Sequence, residues 1–243
     1  MPDATPRRDP AATDHGAPAT EFVPADLDAT RWDALDPLYT RLLRRPVESF
    51  QEFERWLLDR SELEAAAGEA RANLYITMTC HTDDETANAA WAAYLDTVQP
   101  RRKSVSSRLD RRHVDLAARH AKDAPRYAVL NRKTRNEVEL FRDENVPLET
   151  EEAKLDQKYD QICGDMLIEF KGRTRTLPQM ARFQEDNDRD TREQAWRAVA
   201  ERRLRDKDRV DDILDRMIEL RHAAARNAGF DNYRDYRHRR FNR

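Results

Sequence analysis

The segment from residue 207 to 228 carries an apolar repeat that an α-helix gathers into a single face. Its apolar residues recur at spacings of mainly three and four, as Val210, Ile213, Leu214, Met217, Ile218, Leu220 and Ala224. Because an α-helix has about 3.6 residues per turn, such spacing forms one stripe. Gly229 follows, where helices often end in the left-handed conformation, and Phe230 can supply the accompanying apolar contact. The sequence therefore predicts a long amphipathic helix here.

The composition of the whole chain favours the same kind of structure. Only five of the 243 residues are glycine, whereas Ala, Leu, Glu and Arg, which lose little freedom in a helix, are frequent. Charged residues make up 37%, with 44 basic and 47 acidic side chains interspersed and a net charge of −3. This mixture is typical of solvated helix faces and lacks the basic stripe of nucleic-acid-binding proteins. We expect a mainly α-helical protein that binds no nucleic acid.

Polar residues before apolar runs predict where several helices begin. Thr30 is predicted to be an N-cap, and Ser61 and Thr82 each begin the Ser/Thr-x-x-Glu pattern of a capping box. Pro100 marks either a turn or the first turn of a helix. Residues 74–78 fit a helix or a short extended piece, because their periodicity does not separate the two.

One stretch departs from helical periodicity. Residues 166–170 and 173–177 alternate imperfectly around Lys171-Gly172, and Gly172 can adopt the positive φ that a tight turn needs. This predicts a small β-hairpin near 166–177. Thr176 is then predicted to cap a helix that has Pro178 in its first turn.

Composition divides the chain into three parts. Residues 1–20 are dominated by Pro, Ala, Asp and Thr, and such a segment buries too little surface to offset its ordering entropy, so we predict a disordered tail. Residues 143–149 form a break, after which Thr150 is predicted to cap the next helix. We therefore predict an N-terminal helical subdomain over 21–142 and a helical segment with the hairpin over 143–243.

The sequence gives no sign of secretion or membrane contact. No apolar run approaches the roughly 20 residues that span a bilayer, and the N-terminus lacks the hydrophobic core of a secretory signal. Cys80 and Cys163 are far apart and show no paired spacing, which disfavours a disulfide framework or a zinc knuckle. We expect a cytoplasmic protein with two buried, inert thiols.

The histidines do not form a recognisable zinc site. They are His15, His81, His113, His120, His222 and His238. A helical zinc peptidase needs His-Glu-x-x-His, in which two histidines share a helix face and the glutamate activates a metal-bound water. His113 and His120 also share a face, but about 10 Å apart, so we interpret them as a charged or interfacial surface pair. His81 and Glu85 belong to a predicted helix start, where acidic residues complement the helix dipole.

Two charged clusters are the remaining candidates. The acidic run comprises Glu149, Glu151, Glu152, Asp156 and Asp160. Paired carboxylates can do acid–base work where a pocket shifts a pKa, but no such pocket is indicated, and we interpret the run as a solvated helix start. The basic segment 237–243 contains one aromatic residue and could contact RNA or an acidic partner. The residues alone thus assign no catalytic, cofactor-binding or metal-ligating position.

Two longer stretches resemble a known family. The first begins with Phe141-Arg-Asp-Glu-Asn-Val-Pro-Leu-Glu-Thr-Glu-Glu and continues through the hairpin to Met180. The second is Arg221-His-Ala-Ala-Ala-Arg-Asn-Ala-Gly-Phe-Asp-Asn-Tyr-Arg-Asp-Tyr236. With residues 192–196 and 211–215 between them, they make the chain from about residue 20 to 243 resemble the N-terminal half of oligoendopeptidase F, a branch of the thimet-oligopeptidase-like zinc metallopeptidases.

The resemblance implies a mostly helical clamshell around a deep channel, in which zinc-dependent cleavage of short peptides takes place. In that family the zinc ligands, the general base and the substrate-orienting tyrosine and histidine residues lie in the C-terminal half. None of those motifs occurs here, so no catalytic or metal residue is transferred to this chain. The resemblance therefore implies that zinc, short peptides and a C-terminal catalytic half, on another chain or beyond Arg243, belong to the complete enzyme.

Three functions follow as hypotheses. An incomplete peptidase would be inactive alone and would expose an apolar patch where its missing half packs. A self-sufficient, non-catalytic helical module would bind peptides or proteins as a monomer with a cooperative melt. A nucleic-acid binder using the basic segment would lose affinity steeply with salt. The sequence favours the first.

Overall fold

The computed structural model describes residues 22–122 and 124–242. Within them the chain forms ten α-helices, one 3₁₀ turn and one antiparallel pair of strands. The elements are α1 Trp32–Arg44, α2 Phe50–Cys80, α3 Glu85–Thr97, α4 Gln99–His120, the 3₁₀ turn Pro125–Tyr127, α5 Ala128–Leu140, α6 Asn145–Gly164, β1 Leu167–Phe170, β2 Arg173–Thr176, α7 Leu177–Gln184, α8 Arg189–Arg205, α9 Lys207–Asn227 and α10 Tyr233–Arg240. The predicted fold class is confirmed, and the predicted tail over 1–20 lies outside the described residues.

The largest apolar core lies among α1, α2, α3 and α4. Its biggest fully buried side chains include Trp56, Tyr39, Tyr94 and Phe53. The indole N–H of Trp56 donates to the carbonyl of Leu42 at 3.0 Å, so this large side chain is buried with its polar atom satisfied. Core burial of this kind is the main stabilising contribution to a helical bundle.

A buried polar network ties the same four helices together. Arg102 of α4 donates to the hydroxyls of Tyr39 and Tyr94 at 3.2 and 3.1 Å, to the carbonyl of Ala67 at 3.2 Å, and to the carboxylate of Glu64 at 2.7 Å. A buried guanidinium is tolerated only where its N–H groups find acceptors, and here one side chain reaches all three neighbouring helices.

The predicted long helix is confirmed as α9. Gly229 has φ +85, its N–H donates to the carbonyl of Arg226 at 2.9 Å, and the N–H of Phe230 donates to the carbonyl of Ala225 at 3.0 Å. These two bonds form a Schellman motif, which explains why the helix stops there. The apolar stripe of α9 divides between two environments. Ile213, Met217, Leu220 and Ala224 are buried, whereas Leu214 and Ile218 are exposed.

The predicted hairpin is also confirmed. Strands β1 and β2 pair from Leu167 opposite Thr176 to Phe170 opposite Arg173, and Lys171 and Gly172 both have positive φ, 50 and 72. Two left-handed residues in succession make the type I′ turn that matches the twist of paired strands. Thr176 then caps α7 in a reciprocal capping box, as the sequence predicted. The hairpin packs its buried face against α7 and α8.

Three of the predicted N-caps in the first half are wrong, those at Thr30, Ser61 and Thr82. Thr30 does not cap α1, because its hydroxyl donates to Asp28 and the helix begins after Arg31. Ser61 lies inside α2, which Ser49 caps, and the uncertain segment 74–78 belongs to the same helix. The Ser/Thr-x-x-Glu pattern therefore also occurs inside a long helix, where it has no capping role.

Other boundaries shift by a few residues. Asp84, and not Thr82, caps α3 through bonds to the N–H groups of Thr86 and Ala87. The predicted break over 143–149 is shorter than expected, because α6 already begins at Asn145 and Thr150 lies within it. Pro100 lies in the first turn of α4. Proline in a first helical turn lacks only an N–H that would have no intrahelical partner, so the helix continues through it.

Two surface properties complete the description. Cys80 is exposed and Cys163 is half-buried, so the prediction of two buried thiols is wrong. Among the described residues, no helix combines the length and the apolar character needed to cross a bilayer.

Candidate functional site

A polar cleft of about 500 Å³ lies where α2, α4, α6, α9 and α10 meet. Its charged lining consists of Arg71, Arg102, Lys103, Glu149, Glu152, Asp156, Arg221, Arg237 and Arg240, with Tyr233 beside them. These residues come from distant parts of the sequence, and the packing of α6 between α4 and α9 brings them together. A cleft of this volume is within the range that small ligands and peptide ends occupy.

Glu149 is central to the cleft. One of its carboxylate oxygens lies 2.6 Å from the ammonium of Lys103 on α4, and the other lies 3.0 Å from the guanidinium of Arg240 on α10. Burial by itself raises the pKa of Glu149, but the two cations outweigh it and hold the pKa below its ordinary value. The carboxylate therefore stays ionised and joins three helices.

The neighbouring acidic residues are also paired with cations. Glu152 accepts from Arg221 of α9 at 2.6 Å, and Glu151 accepts from Arg216 of the same helix at 2.7 Å. The interpretation of this run as a solvated helix start is thus wrong for Glu149 and Glu152, which are half-buried, whereas the side chain of Glu151 is more exposed to solvent. Sequence alone shows opposite charges on segments far apart, but it does not specify which helices pack together, so the pairs were not predictable.

Asp156 differs from Glu149 in that its pKa is raised. Burial and the nearby carboxylate of Glu152 raise the pKa of Asp156, the cation Arg221 opposes them, and Asp160 adds to the increase. Asp160 itself faces α2, where its carboxylate accepts from the hydroxyl of Tyr75 at 3.3 Å. The acidic run therefore divides between the cleft and the contact with α2.

Two cations of the cleft are held by neutral groups. The guanidinium of Arg237 lies 4.6 Å from the ring centre of Phe241 and 5.9 Å from that of Tyr233. Arg71 donates to the amide oxygen of Gln99 at 3.3 Å and lies over the ring of Trp91. In the part of the chain that the structure describes, neither forms an ion pair. Sequence analysis did not single out Arg71, because an isolated arginine carries no pattern.

The basic segment at 237–243 is largely engaged within the fold. Arg239 pairs with Glu139 of α5 at 2.7 Å, and Arg240 pairs with Glu149. Arg237 faces the cleft. These contacts distribute the cations among separate partners, whereas a nucleic-acid surface presents them as one continuous stripe.

The histidine candidates do not come together. His113 is buried, with its ring edge-on to Phe53 and Trp56 and its Nε2 2.8 Å from the side-chain oxygen of Asn131. Its interpretation as half of a surface pair is therefore wrong. Burial lowers the pKa of His113, so the ring stays neutral. His81 is exposed before α3, as its interpretation as part of a helix start implies.

The described residues do not fit a zinc ion. Residues 22–122 and 124–242 contain no cluster of three or more His, Cys, Asp or Glu side chains able to hold a metal. Zinc has a strong preference for three or four such ligands at short distance. We therefore derive no chemical step through zinc from this chain.

A second groove, of about 690 Å³, runs between residues 23–30 and helices α2 and α3. Alanines line much of it, including Ala66, Ala70 and Ala87, together with the carboxylate of Glu62. Its charged lining consists of the carboxylates Asp28, Glu62 and Glu69, whereas the polar cleft combines cations with carboxylates. We therefore take the polar cleft as the candidate site.

No known protein-family profile matches the sequence, and no curated protein matches it. Solved structures do match the fold. A protein from Bacillus anthracis str. Ames, named as an oligoendopeptidase F, aligns with 88% of this chain at 21% identity and a TM-score of 0.77, over 39% of its own length. PZ peptidase A, solved with an inhibitor, aligns with 92% at 22% identity and a TM-score of 0.77, over 40% of its length.

A further structure named as an oligoendopeptidase F aligns with 93% of this chain at 21% identity and a TM-score of 0.76. The chain spans about 40% of the length of each of these proteins. At such low identity the likeness concerns the fold, and it confirms the resemblance drawn from residues 141–180 and 221–236. The chain has the fold of the N-terminal half of the oligoendopeptidases F.

Proposed function

We propose that this chain is the substrate-binding, non-catalytic half of an oligoendopeptidase-like zinc peptidase and does not cleave peptides alone. The observation that carries the proposal is the likeness of fold over 88% to 93% of the chain, combined with a sequence that lacks His-Glu-x-x-His. The zinc ligands and the general base then come from a C-terminal half, either joined to this chain or separate from it. The substrates are short peptides.

Exposed apolar side chains on α8 and α9 support a further packing partner. Trp196 and Leu204 of α8 are 61% and 64% exposed, and Leu214 and Ile218 of α9 are 50% and 44% exposed. Single exposed apolar residues are ordinary, but an exposed tryptophan and three exposed large aliphatic residues on two successive helices are typical of a contact surface. The C-terminal half is the occupant that the proposal assigns to this surface.

The polar cleft supports peptide binding. Guanidinium groups donate and carboxylates accept, so its walls can bond both the N–H groups and the carbonyls of a peptide backbone. The helices that carry these groups are held in place by apolar cores. Because the groups are positioned before a ligand arrives, binding costs less conformational entropy.

The direct test is a peptidase assay with internally quenched short peptides and added zinc. We expect no turnover from the purified chain, and turnover once a C-terminal half that carries His-Glu-x-x-His is added. Turnover by the pure chain that a chelator abolishes would contradict the proposal. The DNA sequence that follows the codon for Arg243 provides an independent check, because a His-Glu-x-x-His encoded there would identify the catalytic half.

A self-sufficient peptide-binding module is the second candidate. The satisfied polar network around Arg102 and the closed core of α1–α4 favour it, because both are features of an independently stable unit. It predicts a monomer in sedimentation, a cooperative melt and peptide binding without any second chain. A broad melt together with aggregation would favour the incomplete peptidase. The cytoplasmic location and the subdomain division at residue 143 stay predictions.

A further inference from the structure

We propose that the polar cleft binds a carboxylate, and that this carboxylate is the free C-terminus of a short peptide. Arg237 of α10 binds it, with the hydroxyl of Tyr233 as a second donor, and Arg71 of α2 is a further cation that lines the cleft. The inference rests on the proposed function and adds to it which end of a peptide this chain recognises.

The charges that line the cleft do not balance. Six of the lining side chains are cationic and three are carboxylates. Four cations have carboxylate partners: Arg102 pairs with Glu64, Lys103 and Arg240 share Glu149, and Arg221 pairs with Glu152. In the described part of the chain, Arg71 and Arg237 are left with neutral partners. The cleft therefore has a positive potential that favours an anionic ligand group.

Arg237 is arranged to donate. Its guanidinium lies against the aromatic rings of Phe241 and Tyr233. Aromatic rings attract a cation but are weak hydrogen-bond acceptors, so they do not take up the N–H donors of the guanidinium. The planar fork of a guanidinium matches the two oxygens of a carboxylate, and charge-assisted bonds of this kind are about twice as strong as neutral ones. Arg237 is also half-buried, so it loses less strength to solvent than an exposed arginine would.

Tyr233 adds a neutral donor to the same corner of the cleft. Burial raises the pKa of Tyr233, the cation Arg237 opposes this, and Glu152 adds to the increase. The hydroxyl therefore keeps its proton at neutral pH and can donate to an anion. A guanidinium and a phenol side by side provide donors for both oxygens of one carboxylate.

The walls of the cleft favour a peptide end over a nucleic acid. Glu149, Glu152 and Asp156 lie on α6 within the same cleft, and they would repel the successive phosphates of a strand. The same carboxylates can accept the backbone N–H groups of a peptide whose terminus reaches Arg237. A cleft of about 500 Å³ holds a peptide end but not a duplex.

The test compares three forms of one short peptide that contains no Asp or Glu and carries an N-terminal fluorophore: the free acid, the C-terminal amide, and the amide with one internal Glu. Fluorescence anisotropy gives their affinities for the full chain. We expect the free acid to bind about tenfold or more tightly than the amide, the loss expected for a charge-assisted bond. Arg237→Gln should remove this difference.

Arg234→Gln is the matched control. Arg234 lies on the same helix but is exposed, pairs with Asp235 and does not line the cleft. It should keep the difference between acid and amide. Urea titrations of both variants verify that they are folded. If Arg237→Gln does not fold, Arg71→Gln replaces it, because Arg71 also lines the cleft. The comparison of acid with amide on the unaltered chain still tests whether the terminal carboxylate is bound.

Each other outcome overturns the inference in a distinguishable way. Equal affinity for acid and amide would exclude terminal recognition and leave peptide binding intact. Recovery of full affinity by the amide with an internal Glu would identify a side-chain carboxylate as the ligand. Binding of no peptide form at millimolar concentration would remove this inference and count against the proposed function as well. Tight, salt-sensitive binding of a labelled RNA strand that Arg237→Gln weakens would assign the cleft to nucleic acid.

Discussion

The guanidinium of Arg240 lies 3.0 Å from the carboxylate of Glu149, joining α10 to α6 between residues 91 positions apart. The second oxygen of that carboxylate lies 2.6 Å from the ammonium of Lys103 on α4. One half-buried carboxylate therefore holds three helices around the polar cleft. Its removal would leave two half-buried cations without the carboxylate that they share.

Glu149→Gln should lower the free energy of unfolding by about 1–3 kcal/mol, between the cost of breaking a buried pair and that of an exposed one. Urea unfolding at pH 7, followed by circular dichroism, measures the change. Glu193→Gln is the matched control, because Glu193 pairs with Arg197 on the surface of α8 and its loss should cost under about 1 kcal/mol. Equal effects of the two substitutions would contradict the bridging role of Glu149.

The effect of Glu149→Gln should depend on pH. Because the folded pKa of Glu149 lies below the ordinary value of 4.5, its contribution is complete above about pH 4.5 and is lost as the pH falls through the folded pKa. The difference in unfolding free energy between the unaltered chain and the variant should therefore narrow below that pH. A constant difference from pH 7 to pH 3 would show that the ion pairs do not produce it.

His113 should make the fold sensitive to mild acid. Burial lowers its folded pKa below the ordinary 6.5, with Arg60 acting in the same direction and Asn131 and Asp110 opposing. Below pH 6.5 the unfolded chain takes up a proton that the folded chain resists, so stability falls as the pH drops toward the folded pKa. His113→Gln cannot titrate, and its difference from the unaltered chain should shrink between pH 7.5 and 5. His222→Gln, at an exposed position of α9, is the control substitution.

Gly164 marks a close approach between α6 and the segment before α3. A Cβ at this position would overlap Oγ1 of Thr82 and lie 3.0 Å from its Cβ, so Gly164→Ala should destabilise the fold by about 1–3 kcal/mol. Adding Thr82→Ala should recover part of this loss, since it removes two of the crowded atoms. Gly68→Ala in open space within α2 should instead stabilise by roughly 0.5–1 kcal/mol. Thermal melts of these three variants beside the unaltered chain measure the changes.

Two tryptophans in similar sequence settings should behave in opposite ways. Trp56→Ala removes a fully buried side chain and should cost about 3–5 kcal/mol, whereas Trp196→Ala, at 61% exposed, should change stability by no more than about 0.5 kcal/mol. If α8 contacts a C-terminal half, Trp196→Ala should still weaken that association. An unchanged affinity in a pull-down with that half would remove α8 from the proposed surface.

The sequence predicted those elements that depend only on residues close together in the chain. The repeat that ends at Gly229 predicted α9 and its termination, and the pair Lys171-Gly172 predicted the turn between β1 and β2. N-caps were predicted less well, because Ser61-x-x-Glu64 has the composition of a cap but lies in the middle of α2. A capping residue is defined by the backbone conformation that precedes the helix, and composition alone does not determine that conformation.

The candidate site was the part that the sequence did not predict. The acidic run at 149–160 and the basic segment at 237–243 were both recognised as charged, but neither was assigned a partner within the chain. Which cation meets Glu149 depends on how α4, α6 and α10 pack, and that packing is set by cores that combine residues from distant segments. Trp196 illustrates the same limit, because an apolar residue at helical spacing has the same pattern whether it is buried or exposed.

By itself, the sequence determined that this protein is helical, where its longest amphipathic helix and its hairpin lie, and that it contains no His-Glu-x-x-His. Those properties follow from residue type, spacing and backbone preference over short distances. The tertiary structure alone decided that His113 is buried, that Glu149 bridges three helices, and that Arg237 faces a polar cleft. Burial and charge pairing depend on which distant surfaces come into contact, and the spacing of residues along one helix carries no information about its neighbour.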